Sequence, residues 1–291
     1  MEGATLVNLP PELERDIFEL AAWEYPEAVK TLILVARRVC IWIEPQLYQV
    51  VLSRGSGATE RLLQMMHSKP PEFLREHVCH LALSSLTPRS DVTRILSTCT
   101  NVHDLAIWTG DTYPELLSDM RHLTNLRRLS INLFDLFGGH NGFQLPRPEE
   151  LLPLPFAHLT HLDVFSSMPE PMWPVFGMFP CLTHLAFSDY YHPEMVHTTL
   201  DTCAVLQLLV IVWTYDDDPD AGGEDNHDTS EISDPRFCTI PCHLFESDWE
   251  EGAWGGLDFW RRAEIELRER GERRQGSVSE ESQPLHAQES Q

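Results

Sequence analysis

The chain has 291 residues, 42% of them apolar, and a formal net charge of −24. That length allows one large domain or two modest ones, with enough apolar residues for a sizeable core. Phosphate backbones are bound by Lys and Arg that release counterions, so a chain this acidic argues against nucleic acid and anionic membranes as partners.

The opening Met1-Glu2-Gly3 carries no basic segment and no long apolar run follows, so no secretory signal is expected. No apolar run approaches the roughly 20 residues of a membrane span. The seven cysteines, Cys40, Cys79, Cys99, Cys181, Cys203, Cys238 and Cys242, are odd in number and scattered. They read as reduced thiols of a cytoplasmic and/or nuclear protein. Cys238-x3-Cys242-His243 is the one tight cluster, and it lacks the second pair that a zinc site would use. No metal and no cofactor is expected.

The first elements are short helices. Asn8 is placed to cap a helix whose first turn holds Pro10 and Pro11, where no backbone donor is needed. Leu13, Ile17 and Leu20 fall on one face of it, widened by Phe18, Ala21 and Ala22. Pro26 opens a second helix with Val29, Leu32, Ile33 and Val35, and Pro45 closes a third short piece. Three such helices bury too little to be very stable alone. Taken by themselves they suit an N-terminal cap on the domain that follows.

The motifs Leu9-Pro10-x-Glu12-Leu13-x3-Ile17-Phe18, Leu34-Val35-Ala36-Arg37-Arg38 and Pro45-x-Leu47-Tyr48 resemble an F-box. In the second half Val39 stands near the family's usual Trp, and Ala36 replaces a Cys or Ser. The resemblance implies docking on the Skp-type adaptor of cullin–RING ubiquitin ligases. It assigns the docking surface to Leu9, Pro10, Leu13, Ile17 and Phe18.

After a turn at Gly55 and Gly57 and a helix over Glu60 to His67, a repeat begins. Six segments share Φ-x-x-Φ-x-Φ, with Φ apolar, and start at Val78, Val102, Leu126, Leu159, Leu182 and Leu206. Their second apolar positions are 81, 105, 129, 162, 185 and 209, giving steps of 24, 24, 33, 23 and 24. Leucine-rich repeats run roughly 20 to 29 residues, one strand and one helix or turn each. A Gly- and Pro-rich insertion between Phe134 and Pro155 explains the long step. Helices are expected over Asp91 to Thr98, Pro114 to Met120 and Pro193 to Thr202. Cys99 and Cys203 each stand three residues before the first apolar residue of their segment, Val102 and Leu206, a position that resembles the cysteine of cysteine-containing leucine-rich repeats. The chain as a whole resembles fungal F-box proteins with a degenerate leucine-rich-repeat tail.

Alternation fixes the faces of each strand. Fourth and sixth places point inward; third, fifth and seventh point onto the concave face. The third-place ladder is His80, Asp104, Arg128, His161, His184 and Leu208. The seventh-place ladder is Ser84, Trp108, Asn132, Phe165, Ser188 and Val212. Trp108, Arg128, Asn132, His161, Phe165 and His184 are the expected target-binding residues, with Trp108, Arg128, Asn132 and Phe165 exposed on one patch; an ordinary solvated sheet face is the alternative. His161 and His184 fall on neighbouring strands, but no third metal ligand is evident, and plain surface histidines are expected.

Past Trp213 the chain turns acidic. Asp216, Asp218 and Asp220 would fill the first places of a calcium loop, but Ala221 and His227 break it. One more strand is expected over Arg236 to Ile240. Asp258 should cap a helix running to about Arg270 and stopped by Gly271, suited to cover the open end of a solenoid. The expected fold is α/β: an N-terminal three-helix F-box, then a short irregular leucine-rich-repeat solenoid with a parallel sheet. Its units are an F-box-like domain (1–53), a solenoid (54–245) with a flexible acidic loop (214–235), a capping helix (246–274) and a disordered tail (275–291).

No enzyme motif is found: no G-x-S-x-G, no phosphate-cradling glycine loop, no H-E-x-x-H. The sequence reads as a substrate receptor of an SCF-type ubiquitin ligase, itself not an enzyme. Its partners would be the adaptor, through it cullin, and a target protein of unknown identity. The runner-up is an interaction scaffold whose F-box does not recruit a ligase. An unrecognised hydrolase is a third, weaker class.

Overall fold

In the computed structural model the residues described are 9–55, 57–84, 86–108, 113–139, 142, 147, 155–188, 191–214 and 231–281. The Asn8 cap, most of the 134–155 insertion, most of the acidic loop and the tail beyond 281 lie outside them.

The chain is α/β, built on one eight-stranded parallel sheet whose strands follow chain order. They are β1 (Val50–Ser53), β2 (His80–Leu83), β3 (Asp104–Ile107), β4 (Arg128–Ile131), β5 (His161–Val164), β6 (His184–Ser188), β7 (Leu208–Thr214) and β8 (Phe237–Cys242). Every neighbouring pair is parallel. A parallel pair needs a crossover, and helical segments supply it. They include Ala58–Ser68, Arg89–Thr98 and Pro193–Thr202. Between β5 and β6 the return is a 3₁₀ helix, Glu170–Met178, in which Pro174 denies the backbone an α-helical bond.

Six of the strands sit where the repeat places them. β1 is an addition: Val50 to Ser53 pairs with β2 at the sheet's first edge. The register aligns the third places, His80 with Asp104, Asp104 with Arg128, Arg128 with His161 and His161 with His184. Leu81, Leu105, Leu129, Leu162, Leu185 and Leu209 are buried on the face covered by the crossovers. Cys99 and Cys203, just before their strands, are buried there too, and burial pushes their thiols up to about 12 and about 11. The opposite face, here the ladder face, carries the third, fifth and seventh places.

The N-terminal helices are Pro11–Glu24, Val29–Leu32 and Arg37–Ile43, with a 3₁₀ turn at Pro26–Ala28 between the first two and another at Glu44–Tyr48 after the third. They enclose a small core of Ala22, Val29, Val39 and Ile43. Lys69 fastens them to the sheet unit: its Nζ pairs with Glu44 at 2.7 Å and sits over the Tyr48 and Phe73 rings.

The C-terminal segment departs most from the sequence expectation. Helices Phe245–Ala253 and Phe259–Glu281 do not cap an open end. They cross the ladder face from β1 to β8: Arg54, just after β1, pairs with Glu246, and Arg270 donates to the Phe237 carbonyl on β8. Gly271 does not stop the second helix, which runs through 275–281, placed in the tail by the sequence. Its backbone there is not left-handed, and Glu266 pairs with Arg270 and Arg273 on either side of it. One interior glycine costs about 1 kcal/mol, which neighbouring pairs partly offset.

Candidate interaction surfaces

Two surfaces are relevant. The first is an apolar row on the N-terminal helices. Leu9, Leu13, Ile17 and Leu20 are all exposed, Ile17 by 53%, and Leu34, at 81%, Val35 and Ile41 are exposed on the segments that follow. Three- and four-residue spacing puts Leu13, Ile17 and Leu20 on one helix face. Pro10 is exposed at the start of that helix. Phe18 is not part of this row: it is half-buried against the small core. Glu14 on the same helix is held by Arg38, whose guanidinium lowers the carboxyl's pKa.

The second surface is the ladder face, and the two C-terminal helices cover it. Trp108 is half-buried, its ring edge-on to Phe245 at 5.6 Å and to Trp249 at 5.9 Å. Its Nε1 donates to Ser130 Oγ at 3.0 Å. Arg128 Nη1 donates to Asp258 Oδ2 at 3.1 Å. His161 and His184 lie under Trp260, centroids 5.1 and 6.0 Å away. The expectation of an open target-binding patch at Trp108, Arg128, His161 and His184 is thus corrected. Asn132 caps its own short helix, accepting from Asp135 N at 3.1 Å, and Phe165 is half-buried. The strand register behind them is as the alternation predicts.

The covering follows from the fifth places. Ala82, Ala106 and Ala186 are small, so a helix can approach the sheet closely over them. Trp249 and Ala253 pack on Ala82 and Ala106, and Phe259, Trp260 and Ala263 pack with Ala186, Val210, Val212, Cys238 and Ile240. Cys238 and Cys242 belong to this cluster, and burial pushes their thiols up to about 12 and about 11. They are packing residues.

Several polar groups in the interface are hydrogen-bonded to one another. Asp163 is 2% exposed and accepts from Ser130 Oγ and Ser188 Oγ at 2.5 and 2.7 Å. Asp104 accepts from Trp249 Nε1 at 3.2 Å. Asp248 accepts from Phe259 N and Arg262, and Asp258 Oδ1 caps the last helix through Arg261 N at 2.9 Å. A cavity of about 20 Å³ remains between Arg128, Ser130, His161, Asp163, Trp249 and Trp260. That is room for about one water molecule.

One signal of this closure was in the sequence. Leu208-Leu209-Val210-Ile211-Val212 is apolar at successive positions, as a strand buried on both faces is. The third neighbour of the two histidines had none: Glu264 comes to 3.2 Å from His184 Nε2 only through the fold.

No family model matches the chain, and no characterised protein matches it in sequence.

Proposed function

We propose that this chain is a substrate-receptor subunit of a cullin–RING ubiquitin ligase, with an F-box at residues 1–53 and a leucine-rich-repeat-like solenoid behind it. The observation that supports this reading is the exposed apolar row of Leu9, Leu13, Ile17 and Leu20, with Leu34 and Val35 of the same helical unit also exposed. Apolar side chains gathered on one side of a small helical unit mark a surface that another protein covers. The row includes Leu9, Leu13 and Ile17 of the F-box-like motif, while Phe18 of the same motif holds the unit together from inside. The protein performs no chemistry in this role. It holds a target close to a separate ubiquitin-carrying enzyme, and proximity does the rest.

With the C-terminal helices seated, a target meets their outer face and the loops beside them. Binding through Trp108 or Arg128 requires the helices to leave. A pull-down of the full chain with a purified Skp-type adaptor tests the reading. Capture by wild type and loss in Ile17→Asp supports it. An absence of capture by wild type leaves the interaction scaffold as the function.

A further inference from the structure

The ladder histidines offer a chemistry that adaptor and target binding do not use. His161 on β5 and His184 on β6 are in register, their rings stacked 4.1 Å apart. The last helix lays Glu264 against them, with Oε1 3.2 Å from His184 Nε2. One ligand atom from each of the three residues lies within 4.8 Å of the others.

The ring nitrogens are oriented from behind by two threonines. Thr160 Oγ1 donates to the Arg127 carbonyl at 3.1 Å and lies 2.9 Å from His161 Nδ1. Thr183 Oγ1 donates to the Thr160 carbonyl at 3.2 Å and lies 2.8 Å from His184 Nδ1. A hydroxyl has one proton. With that proton on the carbonyl, each oxygen accepts from Nδ1–H, and each ring presents an Nε2 lone pair. A lone pair and a carboxylate oxygen 3.2 Å apart repel unless a proton or a cation lies between them.

We propose that His161, His184 and Glu264 bind one divalent transition-metal ion of the zinc class, joining β5 and β6 to the C-terminal helix. Two imidazoles and a carboxylate are a borderline donor set that zinc accepts, leaving a fourth position for water. Tetrahedral bonds of about 2.0–2.1 Å set ligand atoms about 3.3 Å apart, close to the separation of Nε2 and Oε1. The threonines act as outer-shell partners that hold the imidazoles in the ligating tautomer. In-plane lone pairs of two parallel rings do not converge, so loading turns at least one ring out of the stack. Arg128 is the opposing charge nearby, and Asp258 at 3.1 Å offsets it. Glu264 is 51% exposed, which leaves the ion a way in.

The test uses the full chain, freed of metal by a chelator. Zn²⁺ is titrated against a chromophoric competitor, and Co²⁺ reports geometry by its visible absorption. One saturable equivalent with a tetrahedral cobalt spectrum is expected. Glu264→Gln, at an exposed position that the fold does not depend on, should weaken that equivalent about 10-fold or more. His161→Ala and His184→Ala should weaken it about 100-fold, on the scale of losses when metal-site groups are removed. His192→Ala, at an exposed histidine paired with Glu194, should leave it unchanged. Circular dichroism of each metal-free variant separates lost ligation from lost folding. The proposal is overturned if no saturable equivalent is found, or if Glu264→Gln and His184→Ala bind as wild type does. It is equally overturned if nitrogen NMR places a proton on His184 Nε2 that Zn²⁺ does not displace.

Discussion

Arg128 on β4 and Asp258 at the start of the last helix meet at 3.1 Å, although 130 positions separate them in sequence. Asp258 is 4% exposed, and burial raises its pKa against the pull of Arg128. One of its oxygens caps the helix and the other takes the guanidinium, so the same side chain starts the helix and fastens it to the sheet. Arg128→Ala would leave a buried carboxylate with its cation removed. A hydrogen bond to a charged group contributes about 1.5–3 kcal/mol, and that loss is expected here. Urea denaturation measures it, and hydrogen exchange over 259–274 should rise more than exchange in β2 to β5. Equal exchange in both regions would show that the pair does not hold the helix.

The histidines make the same contact sensitive to acid. His161 is lowered to about 2 from its usual 6.5, and His184 is lowered as well. Between those values the unfolded chain binds protons that the folded chain refuses. The stability from neutral His161 is therefore complete above 6.5 and is lost as pH falls from 6.5 toward 2. Asp258, whose pKa is raised, works in the opposite sense: its contribution is present below 3.8 and is lost as pH rises through its folded value. Near pH 5 to 6 each lowered histidine contributes a slope of at most about 1.4 kcal/mol per pH unit. Urea midpoints at pH 7.5 and 5.5 should differ in wild type and differ less in His161→Gln. An unchanged difference in the variant would exclude His161 as the cause.

Neighbouring residues on the first helix should respond in opposite ways. Ile17→Asp changes an exposed position and should leave thermal stability nearly unchanged while abolishing adaptor capture. Phe18→Ala removes a half-buried ring from the small core and should lower stability by up to about 3–5 kcal/mol. A Phe18→Ala chain that remains as stable as wild type would show that the N-terminal core does not rely on it.

On the sheet, Leu129 and Trp108 separate the two faces. Leu129 is 2% exposed within the main core. Leu129→Ala should cost about 2–5 kcal/mol in global unfolding. Trp108→Ala should instead release the 245–253 helix, since its ring meets Phe245 and Trp249. Limited proteolysis near residue 254 should then outpace global unfolding. Loss of the whole fold in Trp108→Ala would mean that the helices and the sheet unfold as one unit.

Gly252 tests how closely the two C-terminal helices must approach. A Cβ there would collide with the Asp258 carboxylate and Cβ. Gly252→Ala should displace Asp258 from Arg128 and mimic Arg128→Ala in hydrogen exchange, while Gly271→Ala, with open space around it, should be neutral or slightly stabilising. Wild-type exchange in Gly252→Ala would sink this account of the turn.

The sequence by itself determined the six repeat strands, β2 to β7, and their register. A leucine at 81, 105, 129, 162, 185 and 209 with alternating neighbours is a local pattern, and side-chain direction in a strand follows from it residue by residue. The N-cap at Asp258 was legible for the same reason, because a cap acts on its own helix. What covers the ladder face was not legible. Alternation says that Trp108, Arg128 and His161 share a face with Ala82 and Ala106, but an open face and a helix-covered one can carry the same pattern. The both-sided apolar run of β7 was the trace of closure, and it could not name the segment responsible. Only the tertiary structure brought Asp258 to Arg128 and Glu264 to His184, because those contacts depend on where a helix more than a hundred residues from β4 comes to rest.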